Sequence, residues 1–332
     1  MSGVVPQRVA PFRAGRRLRF VRHVCALFGQ AHKVFWTEEP FCVMRWSYDA
    51  AALVATLEQG EPAVLRVSSH GPRLMAMAAP RSADGLVIVH EHPEGARIVT
   101  TRRGARIGER ICPLERHNPP LATDGRRIVL YDRRATTLLR FDLWSLPEPE
   151  AWSLAPLAAA LGEVGPHVGA LQDLGDALLI STRDAWSRWS WDGRLLACWR
   201  TPEVERSPYL LAWHPAGPVV HMMMIDPATG RPTFGRDGWH VCLWDLERRT
   251  ERSLGMAHGW PLAARSPDGR WVVLERVSRA GRGLELWDAA AGTMLERIET
   301  RGRAVQALAF APDGLQVAVA TTQDLLVLRI EP

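Results

Sequence analysis

Two short stretches near the end of the chain, Ser266-Pro267-Asp268-Gly269-Arg270 and Ala311-Pro312-Asp313-Gly314-Leu315, are copies of one turn, each followed by an apolar run. Asp supplies a side chain that bonds its own backbone, and Gly accepts the positive φ that a tight hairpin requires. The same kind of turn recurs upstream at Asp49-Ala50, Asp84-Gly85, Asp124-Gly125, Gly175-Asp176 and Ala216-Gly217. Measured from the second residue of each pair (the first at 175), the intervals are 35, 40, 50, 42, 52 and 45, with a mean of 44. A period of that length limits the chain to a repeat architecture, and it matches one four-stranded propeller blade.

The runs that follow these turns, at 51–56, 86–89, 127–131, 177–181, 219–225, 271–274 and 315–320, are aliphatic and β-branched without strict alternation. They read as strands buried on both faces. A further strand in several units closes on the same ending: Trp189-Ser190-Trp191-Asp192, Cys242-Leu243-Trp244-Asp245 and Leu284-Glu285-Leu286-Trp287-Asp288, with Phe141-Asp142 as a variant. On these endings and the period, the chain resembles the WD40-repeat family, most closely over residues 207–332. The resemblance implies an all-β fold: a seven-bladed β-propeller of four-stranded antiparallel blades. No unit carries Gly-His before its first strand, so the resemblance does not extend to the family's Asp-His-Ser/Thr-Trp hydrogen-bond tetrad.

The expected blades are 40–74, 75–111, 112–164, 165–206, 207–258, 259–302 and 303–332, all within one domain spanning 31–332. The last unit stops one strand short, and an open edge would leave backbone groups unpaired. An N-terminal strand is therefore expected to close the ring, from 18–24 or 32–36. Spacing to the next strand favours the second. That choice leaves residues 1–30 as a basic arm carrying Arg8, Arg13, Arg16, Arg17, Arg19 and Arg22. Two insertions break the period, 227–238 and 148–165, the latter with a short helix near 157–162 ended by Gly162.

Charge supports the picture of an arm. Of 41 basic residues in the 332-residue chain, seven precede the first acid, Glu38; the remaining 34 face 36 acids, a formal charge of −2. Five scattered cysteines without a C-x-x-C pair imply neither a disulfide framework nor a zinc ribbon. No apolar run approaches a membrane span, and the polar stretch after Arg16-Arg17 does not fit an export signal. A bacterial cytoplasmic protein without membrane association is the expectation.

Chemistry is sparse in the sequence. His90 and His92 alternate to one side of a strand but lack a third ligand at defined spacing, so no metal and no cofactor is assigned. There is no G-x-S-x-G elbow, and Gly281-Arg282-Gly283 has no helix after it to cradle a phosphate. Trp186, Trp189, Trp191 and Trp199, with Arg188 and Arg194 among them, could form a stacking platform for bases or sugars, but the favoured reading is that Trp189 and Trp191, two apart, fill the space between neighbouring blades. The loops that share a face with the insertions place Arg133, Arg134, Arg183, Arg231, Arg236, Arg279 and Arg282 on a basic rim suited to carboxylates of a protein partner. The expected function is a non-enzymatic protein–protein interaction scaffold or adaptor. The chain further resembles propellers that accompany MoxR-type ATPases and von Willebrand A proteins, which implies such partners. Alternatives are an enzyme or small-ligand receptor at the central channel, using His92 and Asp184, and a nucleic-acid accessory protein acting through the arm.

Overall fold

The computed structural model describes residues 15–26, 31–35, 43–47, 52–56, 63–66, 74–78, 85–102, 105–112, 121–123, 127–132, 135–142, 149–162, 166–174, 176–182, 184–201, 206–214, 217–224, 239–257, 261–278 and 281–331. The chain begins with β1 (Leu18–Ala26). Next come β2 (Ala31–Phe35), β3 (Val43–Ser47), β4 (Ala52–Thr56) and β5 (Ala63–Arg66), then β6 (Leu74–Ala78), β7 (Gly85–His92), β8 (Gly95–Arg102) and β9 (Ala105–Cys112). The middle of the chain holds β10 (Leu121–Thr123), β11 (Arg127–Asp132), β12 (Thr137–Asp142), β13 (Glu150–Ser153) and a helix, α1 (Ala155–Leu161). After it come β14 (Val168–Asp173), β15 (Ala177–Thr182), β16 (Ala185–Ser190) and β17 (Leu195–Arg200). The remaining strands are β18 (Arg206–Ala212), β19 (Val219–Met224), β20 (Trp239–Asp245), β21 (Thr250–Ala257), β22 (Ala263–Arg265), β23 (Trp271–Ser278), β24 (Gly281–Asp288), β25 (Thr293–Glu299), β26 (Val305–Phe310), β27 (Gln316–Thr321) and β28 (Asp324–Ile330).

These strands form an all-β protein of four-stranded sheets. Antiparallel pairing runs through β6-β7-β8-β9, β10-β11-β12-β13, β14-β15-β16-β17, β22-β23-β24-β25 and β1-β28-β27-β26. Two further four-stranded sets follow chain order, β2-β3-β4-β5 and β18-β19-β20-β21. The chain divides into two compact units, one built chiefly from β1 and β20–β28, the other chiefly from β3–β17.

Burial explains the strand sequences. Second strands are covered on both faces: Val272, Val273 and Leu274 of β23 and Val317 to Ala320 of β27 have no exposed surface. Continuous apolar runs result, in place of alternation. Fourth strands such as β25 alternate toward solvent, with Ile298 buried between exposed Arg297 and Glu299. The repeated turns have a repeated hydrogen-bond pattern. Gly217, Gly269 and Gly314 each donate their N–H to the carbonyl three residues earlier, and all three have positive φ. At the opposite end of the sheet, Thr182 Oγ1 accepts from Ala185 N at 3.0 Å, and Thr321 Oγ1 accepts from Asp324 N at 2.9 Å. The aspartates that end β20 and β24 also have a local role. Asp245 Oδ1 accepts from the N–H groups of Glu247 and Arg248, and Asp288 Oδ1 accepts from Ala291, closing the turn into the fourth strand.

Leu157 and Leu161 of α1 pack into a core with Tyr131, Leu138, Trp152, Trp189 and Trp191. The helix ends on Gly162 at φ 69°, whose N–H reaches back to Ala158 and Ala159. The two tryptophans Trp189 and Trp191 are thus packing residues of the β10–β13 and β14–β17 sheets, as the sequence suggests. Helix α1 follows the fourth strand of its sheet, whereas the sequence reading set the whole insertion after the third.

The N-terminal assignment needs correction. The last sheet is completed by β1, with Leu18 opposite Ile330 and Ala26 opposite Asp324. Residues 31–35 instead form β2 and open the first sheet, with β3 and β4 as its second and third strands; Trp36 and Asp49-Ala50 lie outside the described residues. Both candidate segments are strands, and each fills a different place. Leu18 is buried beside Val317, Leu328 and Ile330, with Phe20 packed on the same cluster, while Arg17 and Arg19 point outward.

Candidate functional site

Arg16, Arg17 and Arg19 belong to β1 and its lead-in, not to an arm outside the fold. Glu296 of β25 accepts three successive backbone N–H groups: Arg16 at 2.5 Å, Arg17 at 2.8 Å and Leu18 at 2.6 Å. Gly15 lies so close to this carboxylate that a Cβ there would come within 2.5 Å of it. Arg22 lies on β1; Arg8 and Arg13 lie outside the described residues. Of the predicted rim, Arg133, Arg134, Arg183, Arg231, Arg236 and Arg279 also lie outside the described residues. Arg282, at the start of β24, is half-exposed and stands 3.7 Å from the Glu275 carboxylate, so it faces an acid of its own chain. His90 and His92 lie on β7, and exposed Asp184 precedes β16, where its carbonyl accepts from Thr201 N at 2.9 Å.

Neighbouring first-strand turns interlock. His214 Nε2 meets the Pro267 carbonyl at 2.9 Å, and Arg265 reaches both Gly217 O and Gly269 O. A Cβ on Gly269 would come within 2.4 Å of the His214 ring. Burial lowers the pKa of His214 against the opposing pull of the Pro267 carbonyl, and desolvation brings Arg265 down to about 10. Desolvation acts to raise the Asp268 pKa, but hydrogen bonds from Ser266 and Arg270 hold it below its ordinary value. These groups are committed to joining turns.

A second polar cluster lies within the β21 to β25 strands. Arg276 Nε donates to Glu285 Oε2 at 2.7 Å, and its other nitrogens donate to the carbonyls of Leu254 and Met256. Trp287 Nε1 donates to the same Glu285 oxygen at 3.1 Å. The arrangement repeats in β16, where Trp189 Nε1 donates at 2.9 Å to Ser187 Oγ, again two residues earlier. Gly255, at φ 90°, makes room for the guanidinium, since a Cβ there would stand 3.2 Å from Arg276 Nη1.

Glu275 of β23 is buried at 2% exposure and accepts from Val305 N at 3.2 Å. Burial pushes its pKa up to about 7, against the lowering effects of Val305 N–H and Arg282. A carboxyl whose pKa is higher folded than unfolded stabilises the fold fully below its unfolded pKa, and that contribution is lost as pH rises through about 7. Glu275→Gln, which keeps the acceptor for Val305, is therefore expected to raise the melting temperature at pH 8 and leave it little changed at pH 4.5. A wild-type minus variant difference that stays flat between those pH values contradicts this account.

The third cluster contains metal-binding donor types. Among the described residues, the ligand atoms of His240, Cys242 and Glu251 lie within 4.8 Å of one another. His240 and Cys242 are two apart on β20 and share a face. Register brings in Glu251: Trp244 faces Glu251 and Cys242 faces Ser253, so Glu251 sits diagonally across from Cys242 on that same face. A bulge opposite Val241/Cys242 sends Leu254 into the core and keeps Ser253 and Glu251 in phase with the thiol. His240 Nε2 meets Ser253 Oγ at 2.8 Å. Cys242 is fully buried, His240 half-buried and Glu251 exposed. The sequence held half of this signal, a His-x-Cys pair in a strand; the partner across the ladder was invisible without the register. No protein family and no curated protein matches the chain.

Proposed function

We propose that the chain is a seven-bladed, WD40-like β-propeller that serves as a non-enzymatic scaffold in a bacterial multiprotein system. The observation that carries this reading is the pairing of β1 with β28, which joins the two ends of the chain in one sheet. Consecutive four-stranded sheets of one period, with the last completed from the N-terminus, suit a closed ring. A ring of this kind is rigid, and its variable parts are loops, which suits recognition of a protein surface. The arginines of the second-to-third-strand loops supply planar donors for partner carboxylates. Arg282 is better left intact in any test, because it faces Glu275.

The test replaces Arg231, Arg236 and Arg279 with glutamate and compares affinity purifications from the native host. Wild type is expected to retain a defined partner, a MoxR-type ATPase or a von Willebrand A protein, and the triple variant to lose it with an unchanged melting curve. Equal recovery of that partner by both proteins removes the rim as the binding surface.

A further inference from the structure

The geometry points to a zinc site formed by His240, Cys242 and Glu251 on the β20–β21 ladder. The donor set fits the ion: a thiolate, an imidazole and a carboxylate are the ligands that Zn2+ accepts in tetrahedral sites. Charge fits as well. Cys242 would bind as thiolate, its proton passing to solvent, so thiolate and carboxylate together cancel the two charges of the metal. No net charge is then left at the half-buried end of the site.

Distance is the next condition. Ligand atoms on a tetrahedral zinc stand about 3.5 Å apart, given bonds of about 2.0 to 2.3 Å. Here they lie within 4.8 Å of each other, so closure is a matter of side-chain rotation on a ladder that is already formed. The histidine is also steadied in the manner of a ligand, one ring nitrogen being held by Ser253 Oγ at 2.8 Å. Ser253 Oγ is itself placed by the Gly255 N–H at 3.0 Å. Three protein ligands leave one position for water or for a side chain of another protein, and exposed Glu251 sets the site at the surface.

The probe is Co2+, followed by competition with Zn2+, on the full chain freed of metal with a chelator. Wild type is expected to bind one Co2+ with a thiolate-to-cobalt charge-transfer band and the intense visible bands of a tetrahedral centre, both abolished by one equivalent of Zn2+. Cys242→Ser removes the charge-transfer band, and His240→Gln and Glu251→Gln each weaken Co2+ binding by at least tenfold. His240→Gln and Glu251→Gln lie outside the buried core, so they test the site even where the serine variant fails to fold. A wild-type spectrum without a thiolate band overturns the proposal. So does a band that keeps its intensity and affinity in both His240→Gln and Glu251→Gln, since the ion would then be held by a lone thiol.

Discussion

A chain beginning at residue 27 is expected to be recovered as aggregate or to melt without a cooperative transition, because it lacks β1. Loss of β1 opens the whole length of β28, where Leu325 to Leu328 are otherwise fully buried, and an open apolar edge recruits other chains. A subtler change carries the same information. Leu18→Ala removes a side chain that is 1% exposed, and its cost is expected to be about 2–5 kcal/mol, as for other buried leucines. Denaturant unfolding of the point variant and size-exclusion of the truncated chain measure the two effects. A monodisperse truncated chain melting within a few degrees of wild type would mean that β2, not β1, closes the last sheet.

Arg276→Met is expected to lower stability by about 3–5 kcal/mol, because it removes the close partner of the buried Glu285 carboxylate and leaves Arg297, at 3.7 Å, as its remaining cation. Glu285 is 3% exposed and Arg276 8%, so water cannot take the place of the lost partner. In melting temperature this corresponds to a fall of roughly 5–10 °C. Adding Glu285→Gln to the same chain should recover a large part of the loss, since the amide oxygen still accepts from the Trp287 indole and no charge remains to be neutralised. Calorimetry of both single variants and the double variant closes the cycle. Strict additivity would mean that the two side chains do not act as a pair.

The repeat was legible because its turn chemistry is local. Asp-Gly between two apolar runs specifies a hairpin whatever surrounds it, and the turns at Asp268-Gly269 and Asp313-Gly314 carry the same bonds to Asp Oδ1. The short helix was legible for the same reason, through Gly162. What depended on pairing across the chain was not. Arg16 to Arg22 look like a basic tail by composition, yet Leu18 and Phe20 face inward between outward arginines, a period of two that charge density conceals. Glu296, which receives three N–H groups of that segment, is more than two hundred residues away from it in sequence. Glu251 joins His240 and Cys242 only through a register that includes a bulge, and no spacing rule announces a bulge.

The pairing of Leu18 with Ile330 also sets an order of events during synthesis. β1 is synthesised long before its partner strand β28, so it takes its place in the sheet only once β28 has been made. At about 5–20 residues per second, roughly 15–60 s pass between the two. Throughout that interval the N-terminal strand has no native partner, and its run of arginines keeps the waiting segment charged and soluble. A chain cut short anywhere before β28 therefore has no place to dock β1.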